Sequence, residues 1–174
     1  VFLLTIEDEF AAAHYLEGYQ GACAAMHGHT WKVSVSIVAQ ETRDLGMVVD
    51  FKDLKRILKK VLSKYDHSCL NNVIEMPKDE EGEAESSRPK YNPTAENMTR
   101  IIYGELEEAL QQFSKAGICE LWSVTIWESS QASCTYSRQG EDVGEEKEVA
   151  TTKKAFVKDM LKRKTDELRE GEKS

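Results

Sequence analysis

The segment CAAMHGHTW, Cys23 to Trp31, places a cysteine four residues ahead of a His-Gly-His, and spends two of the chain's four histidines there. On extended backbone, residues two apart point the same way, so His27 and His29 can grip one ion. Gly28 leaves the backbone between them unobstructed. A third nitrogen can come from His14 in FAAAHYL if that segment runs alongside. Three histidines with one open position is the layout of a catalytic zinc site, whereas a structural finger would call for cysteine pairs. The same HxH also suits two polar residues on a half-exposed strand. Cys23 adds a thiol that works as base or nucleophile when a nearby dication lowers its pKa. Its plainer use is as a small buried apolar group.

The fourth histidine follows an aspartate in YDHSCLNN. A carboxylate can hold an imidazole in one tautomer and stabilise its protonated form, which makes Asp66 and His67 a possible proton relay. Adjacent side chains do not face each other on regular backbone, so the pair needs a turn to converge. A helix cap or a core contact is the simpler use of Asp-His at the end of a helix.

The elements that must position these groups are legible from periodicity. Residues 2–10 and 31–39 read as strands, and WKVSVSIVA alternates Trp31, Val33, Val35 and Ile37 against Lys32, Ser34 and Ser36. Phe51 to Tyr65 reads as an amphipathic helix with Asp50 as its N-cap. A second helix opens at YNPTAEN, capped by Asn92 or Thr94, with the stripe Met98, Ile101, Ile102, Leu106, Ala109, Leu110 and Phe113. Strands return at about 119–127 and 132–138. The order β-β-α-α-β-β over residues 1–138 implies an α+β domain, an antiparallel sheet with both helices on one face.

Between the helices, residues 76–90 form an acidic stretch that reads as an exposed loop. From 139 to 174 the chain reads as a polar linker and a helical or frayed tail, with Phe156, Val157, Met160, Leu161 and Leu168 on one side. A net charge of −8 argues against a general nucleic-acid binder, though a basic pocket for an anionic small molecule can sit on an acidic protein. No apolar run reaches the roughly 20 residues of a membrane span. The opening VFLLTIEDEF lacks the basic flank and cleavage site of a signal peptide and reads as the first strand. Four scattered cysteines suit free thiols in a reducing, cytoplasmic setting.

FAAAHYL, YQGACAAMHGHTWKVSV, LGMVVDFKDLK, YDHSCLN, NPTAEN and VTIWES occur in one order at compatible spacings. Together they resemble the 6-pyruvoyl-tetrahydropterin synthase family, which includes the 6-carboxy-tetrahydropterin synthases of queuosine biosynthesis. The resemblance runs from about Phe2 to Arg138. It implies a tunnelling fold (T-fold) in which three subunits close a barrel, two trimers stack into a homohexamer, and active sites lie between subunits. It further implies that His14, His27 and His29 ligate zinc, that Cys23 is the base, and that Asp66 and His67 relay a proton. Glu128 matches the family's pterin anchor, a carboxylate accepting from the guanidine-like edge of the ring. Thr94 and Glu96 are the implied contributors to the same pocket, beside their simpler use in starting the second helix.

The three-residue gap between Cys23 and His27 resembles the queuosine branch, since the biopterin-forming synthases carry a longer one. The implied activity is conversion of 7,8-dihydroneopterin triphosphate to 6-carboxy-5,6,7,8-tetrahydropterin, acetaldehyde and triphosphate. Two alternatives stay open: triphosphate elimination alone, giving 6-pyruvoyl-tetrahydropterin, and a non-catalytic pterin- or metal-binding T-fold protein.

Overall fold

Alternating burial along two long strands organises the molecule. The structure is a computed structural model that describes residues 1–74 and 92–137. The acidic stretch 76–90 and the tail 139–174 lie outside the described residues. Strands β1 (Phe2–His14) and β2 (His27–Ala39) pair antiparallel over their full length, from Phe2 opposite Ala39 to His14 opposite His27. Helix α1 (Phe51–Leu62) follows, then the two-residue strand β3 (Ser68–Cys69) and the single turn α2 (Leu70–Val73). Helix α3 (Ala95–Ala109), the short α4 (Gln111–Lys115) and strands β4 (Glu120–Ser129) and β5 (Ala132–Tyr136) complete the order.

The sheet runs β3-β1-β2-β4-β5. Its four longer strands are antiparallel neighbours, but β3 pairs parallel with β1 through Ala12–Ser68 and Ala13–Cys69. The expected all-antiparallel sheet is therefore mixed, and two short helices add to the two expected. The physical reason lies in the chain's return from α1, which rejoins the β1 edge for only two residues before coiling into α2. The first two strands also run further toward the chemistry than alternation indicated. β1 continues through Ala11–Ala13 to His14, and β2 begins at His27.

One face of the sheet carries the core. Ile6 and Phe10 of β1, Trp31, Val33, Val35 and Ile37 of β2, and Val124 and Ile126 of β4 are all buried. α1 packs against β1, and α3 against β4 and β5. Leu54, Leu58 and Leu62 line the buried side of α1; Met98, Ile101, Ile102 and Leu106 line that of α3. Each such side chain contributes roughly 1.5–3 kcal/mol on leaving water. Asp50 caps α1 by accepting from the Lys52 N–H at 2.8 Å. Thr94, not Asn92, caps α3, accepting from the Asn97 N–H. The opposite face is polar: Thr5 bonds Ser36, Lys32 pairs with Glu7 at 3.0 Å, and Thr125 bonds Thr135. Among the described residues no helix is long and apolar enough to cross a membrane, and all four cysteines are free.

Candidate metal centre and active site

The histidines stand where the core face outruns the helices. Two-residue alternation carries the buried side of β1 through Phe10 and Ala12 to His14, and that of β2 from Val33 through Trp31 to His29 and His27. On β4 the same side passes Val124 and Ile126 and ends at Glu128. His14 and His27 are direct cross-strand partners, with His29 opposite Ala12, one step along. Trp31 forms the floor, edge-on to both His14 and His29. Its indole N–H donates to the Ala12 carbonyl.

One ligand atom from each of His14, His27 and His29 lies within 4.8 Å of the others. Nδ1 of His14 donates to the Pro93 carbonyl at 2.8 Å, and Nδ1 of His27 to the Ala25 carbonyl at 2.8 Å. Each bond fixes the neutral tautomer and leaves the Nε2 lone pair free, the outer-shell arrangement of metal-binding histidines. Burial pulls the His14 pKa below its ordinary 6.5, against the opposing pull of the Pro93 bond. His14 is therefore held neutral, the form that ligates. Nε2 of His14 and Nε2 of His29 are buried and have no hydrogen-bond partner. Glu128 Oε1 sits 3.3 Å from the first and 3.9 Å from the second. A lone pair facing a carboxylate oxygen is repulsive unless a proton or a cation lies nearby, and protonation of His14 is disfavoured. A dication such as zinc fits this donor set.

The His14 pKa shift carries a pH consequence for the metal-free protein. The unfolded chain binds a proton at His14 below about 6.5, while the folded chain resists it until the pH reaches the lower native value. Stability is therefore expected to fall as pH drops through that window and to level off below it. Urea midpoints of metal-free wild type and His14→Gln, taken across this range, should diverge. Parallel curves would contradict the assignment.

Asp66 and His67 converge as a relay requires. His67 adopts left-handed backbone, φ 55°, which is costly for a non-glycine residue and turns its ring back on its neighbour. Asp66 Oδ2 lies 2.9 Å from His67 Nδ1. Asp66 Oδ1 accepts from the Ala11 N–H at 2.9 Å, and the His67 N–H donates to the Ala11 carbonyl. The Ala11 bond first, and then the His67 ring, hold the Asp66 carboxyl below the usual carboxylate range. The dyad stands apart from the three-histidine cluster, and the His67 side chain is 83 % exposed.

Cys23 lies in a 3-10 turn, Ala22–Ala24, and is half-buried. It is not one of the cluster's ligands. Its carbonyl accepts from the Leu16 N–H at 2.9 Å, which ties the turn to the chain just beyond His14. The Thr94 hydroxyl oxygen accepts the cap bond of α3, and Glu96 is exposed in the first turn of that helix. The structure thus brings together His14, His27, His29 and Glu128, with Pro93 of the NPTAEN segment behind His14. The Pro93 and Ala25 carbonyls were not foreseen as orienting groups. The one available signal was the position of Pro93 directly before a helix cap.

Comparison with known proteins places the chain in a family. The family model described as 6-pyruvoyl tetrahydropterin synthase matches residues 3–139. The chain belongs to the 6-pyruvoyl tetrahydropterin synthase family. A Haemophilus influenzae relative, named 6-carboxy-5,6,7,8-tetrahydropterin synthase, is 30% identical over 149 residues, covering 78% of this chain and 99% of the relative. A Bacillus subtilis relative of the same name is 28% identical over 137 residues, covering 78% and 84%. Among solved structures, the Caenorhabditis elegans 6-pyruvoyl tetrahydropterin synthase superposes with a TM-score of 0.60 at 27% identity, covering 78% of this chain and 96% of that one. The domain is a T-fold of this family.

Proposed function

We propose that the protein is a zinc-dependent lyase that converts 7,8-dihydroneopterin triphosphate and one water to 6-carboxy-5,6,7,8-tetrahydropterin, acetaldehyde and triphosphate. The observation that carries this reading is the cluster of three histidines, two with their Nδ1 atoms tied to carbonyls, with a carboxylate at its rim. The names of the Haemophilus and Bacillus relatives and the three-residue gap from Cys23 to His27 support the 6-carboxy branch.

His14, His27 and His29 would hold the ion. When bound, zinc supplies Lewis-acid polarisation of the substrate's side-chain hydroxyls and the adjacent C–H. Cys23, as thiolate, takes a proton from the substrate. His67, oriented by Asp66, returns one. Glu128 accepts from the guanidine-like edge of the pterin and fixes where the side chain at C6 falls. Thr94 and Glu96, at the start of α3, complete the pterin pocket. Trapping acetaldehyde during turnover tests the branch. Its absence, with triphosphate still released, would make the protein a 6-pyruvoyl-tetrahydropterin synthase. Loss of neither product from the substrate would leave a non-catalytic pterin- or metal-binding protein.

The outward-facing dyad fits sites completed between subunits of a homohexamer. Among the described residues β5 pairs only with β4, and β3 pairs with the outer edge of β1 only at Ala12 and Ala13, with Asp66 and His67 bonding Ala11 beside it. Val1, Phe2 and Leu3, at the start of that edge, are exposed. Closing a barrel removes such edges. Light scattering is expected to give a hexamer of the 19.7 kDa chain, and an active monomer would contradict shared sites.

A further inference from the structure

Beyond His14 the chain leaves β1, passes Tyr15 and Leu16, and turns at Glu17 and Gly18, where the Tyr19 N–H donates to the Leu16 carbonyl. β3 leaves the edge of β1 at Cys69 and coils into α2. Two asparagine side chains take over its role. Asn71 Oδ1 accepts from the Tyr15 N–H at 3.0 Å, and Asn71 Nδ2 donates to the Tyr15 carbonyl at 2.9 Å. Asn92 repeats the pattern on Glu17, accepting from its N–H at 2.6 Å and donating to its carbonyl at 3.0 Å. Asn97 Nδ2 in turn donates to the Asn92 carbonyl at 2.8 Å. A primary amide carries one acceptor and one donor side by side, as a strand neighbour does, so it can satisfy both backbone groups of one residue.

Between the two clamped residues, the Leu16 N–H donates to the Cys23 carbonyl at 2.9 Å. The clamps therefore fix the segment to which the Cys23 turn is tied.

We propose that Asn71 and Asn92 are positioning residues for Cys23, acting through the backbone of residues 15–17. This rests on the reading of Cys23 as the base of the proposed reaction. Asn71 also lies four residues after His67, so one side chain couples the dyad's segment to the thiol's segment.

Asn71→Asp is the sharpest probe. It is nearly isosteric and keeps the acceptor for the Tyr15 N–H, but sets a second carboxylate oxygen against the Tyr15 carbonyl in place of a donor. In the zinc-loaded full chain, kcat is expected to fall about 10- to 100-fold, as misplacement by about 1 Å does. KM and zinc content should hold. Iodoacetamide should also alkylate Cys23, followed by peptide mass spectrometry, severalfold faster, because a freed turn exposes the half-buried thiol. Asn72→Asp, which adds the same charge at the exposed next residue, should match wild type in all four measurements. Should Asn71→Asp not fold, Asn71→Ser, which is too short to clamp, is expected to give the same pattern. Cys23 alkylation and kcat indistinguishable from wild type in a folded Asn71 variant would overturn the proposal, as would an equal loss in Asn72→Asp. The alkylation rate needs no substrate. If wild type fails to turn over the pterin triphosphate, the proposed function falls, while that rate still decides whether Asn71 holds Cys23.

Discussion

Replacing Cys23 with alanine is expected to leave the metal in place and to cut turnover of the pterin triphosphate by about 10²–10⁴-fold, the usual cost of removing a general base. The two effects separate because Cys23 is not one of the three clustered ligands. Cys23 is half-buried in an otherwise exposed turn held by the Leu16 bond, so losing its sulfur leaves the two strands that carry the ligands untouched. Cys23→Ser should be nearly as impaired, since a hydroxyl ionises far less readily than a thiol near neutral pH. Cys69→Ala and Cys134→Ala control for general loss of thiols and should retain turnover. Near wild-type rates from metal-loaded Cys23→Ala would reduce the thiol to a packing group. The search for the base would then move to His67.

The second large effect is loss of the metal itself. His27→Ala/His29→Ala removes two of three ligands from β2 and is expected to abolish both zinc binding, read by elemental analysis, and turnover. This pair is a better test than His14→Ala. His27 and His29 are half-buried, so their removal costs the fold little. His14 is 1 % exposed and packs edge-on against Trp31. Truncating it would also strand the buried Pro93 carbonyl at a cost of about 1–3 kcal/mol, which confuses metal loss with unfolding. Full zinc retention in the double variant would sink the assignment of the centre.

How much of this was legible in the sequence depended on range. Trp31, Val33, Val35 and Ile37 share a buried face because strand alternation is local, and the same rule carried HxH onto that face. Asp50 was legible as a cap because its partner is two residues away. The alanines at 11–13 have weak strand preference and concealed the extension of β1 to His14. β3 has two residues, too few for any period to register, so its parallel pairing could not be anticipated. The bonds that build the site span longer distances still: His14 to Pro93 is 79 residues apart, Asn71 to Tyr15 is 56, and Asn92 to Glu17 is 75. Nothing local marks such pairs. Both asparagines did stand inside segments that carried the family resemblance, where they read only as a residue after a helix and an alternative cap.

The most direct measurement follows every product formed from 7,8-dihydroneopterin triphosphate, by mass spectrometry, with metal-stripped protein and with the same protein reloaded with zinc. The expected result is no conversion without metal and, after reloading, equal molar yields of 6-carboxy-5,6,7,8-tetrahydropterin, acetaldehyde and triphosphate. Undiminished conversion by the stripped protein, or unchanged substrate after full reloading, would contradict a catalytic metal centre at His14, His27 and His29.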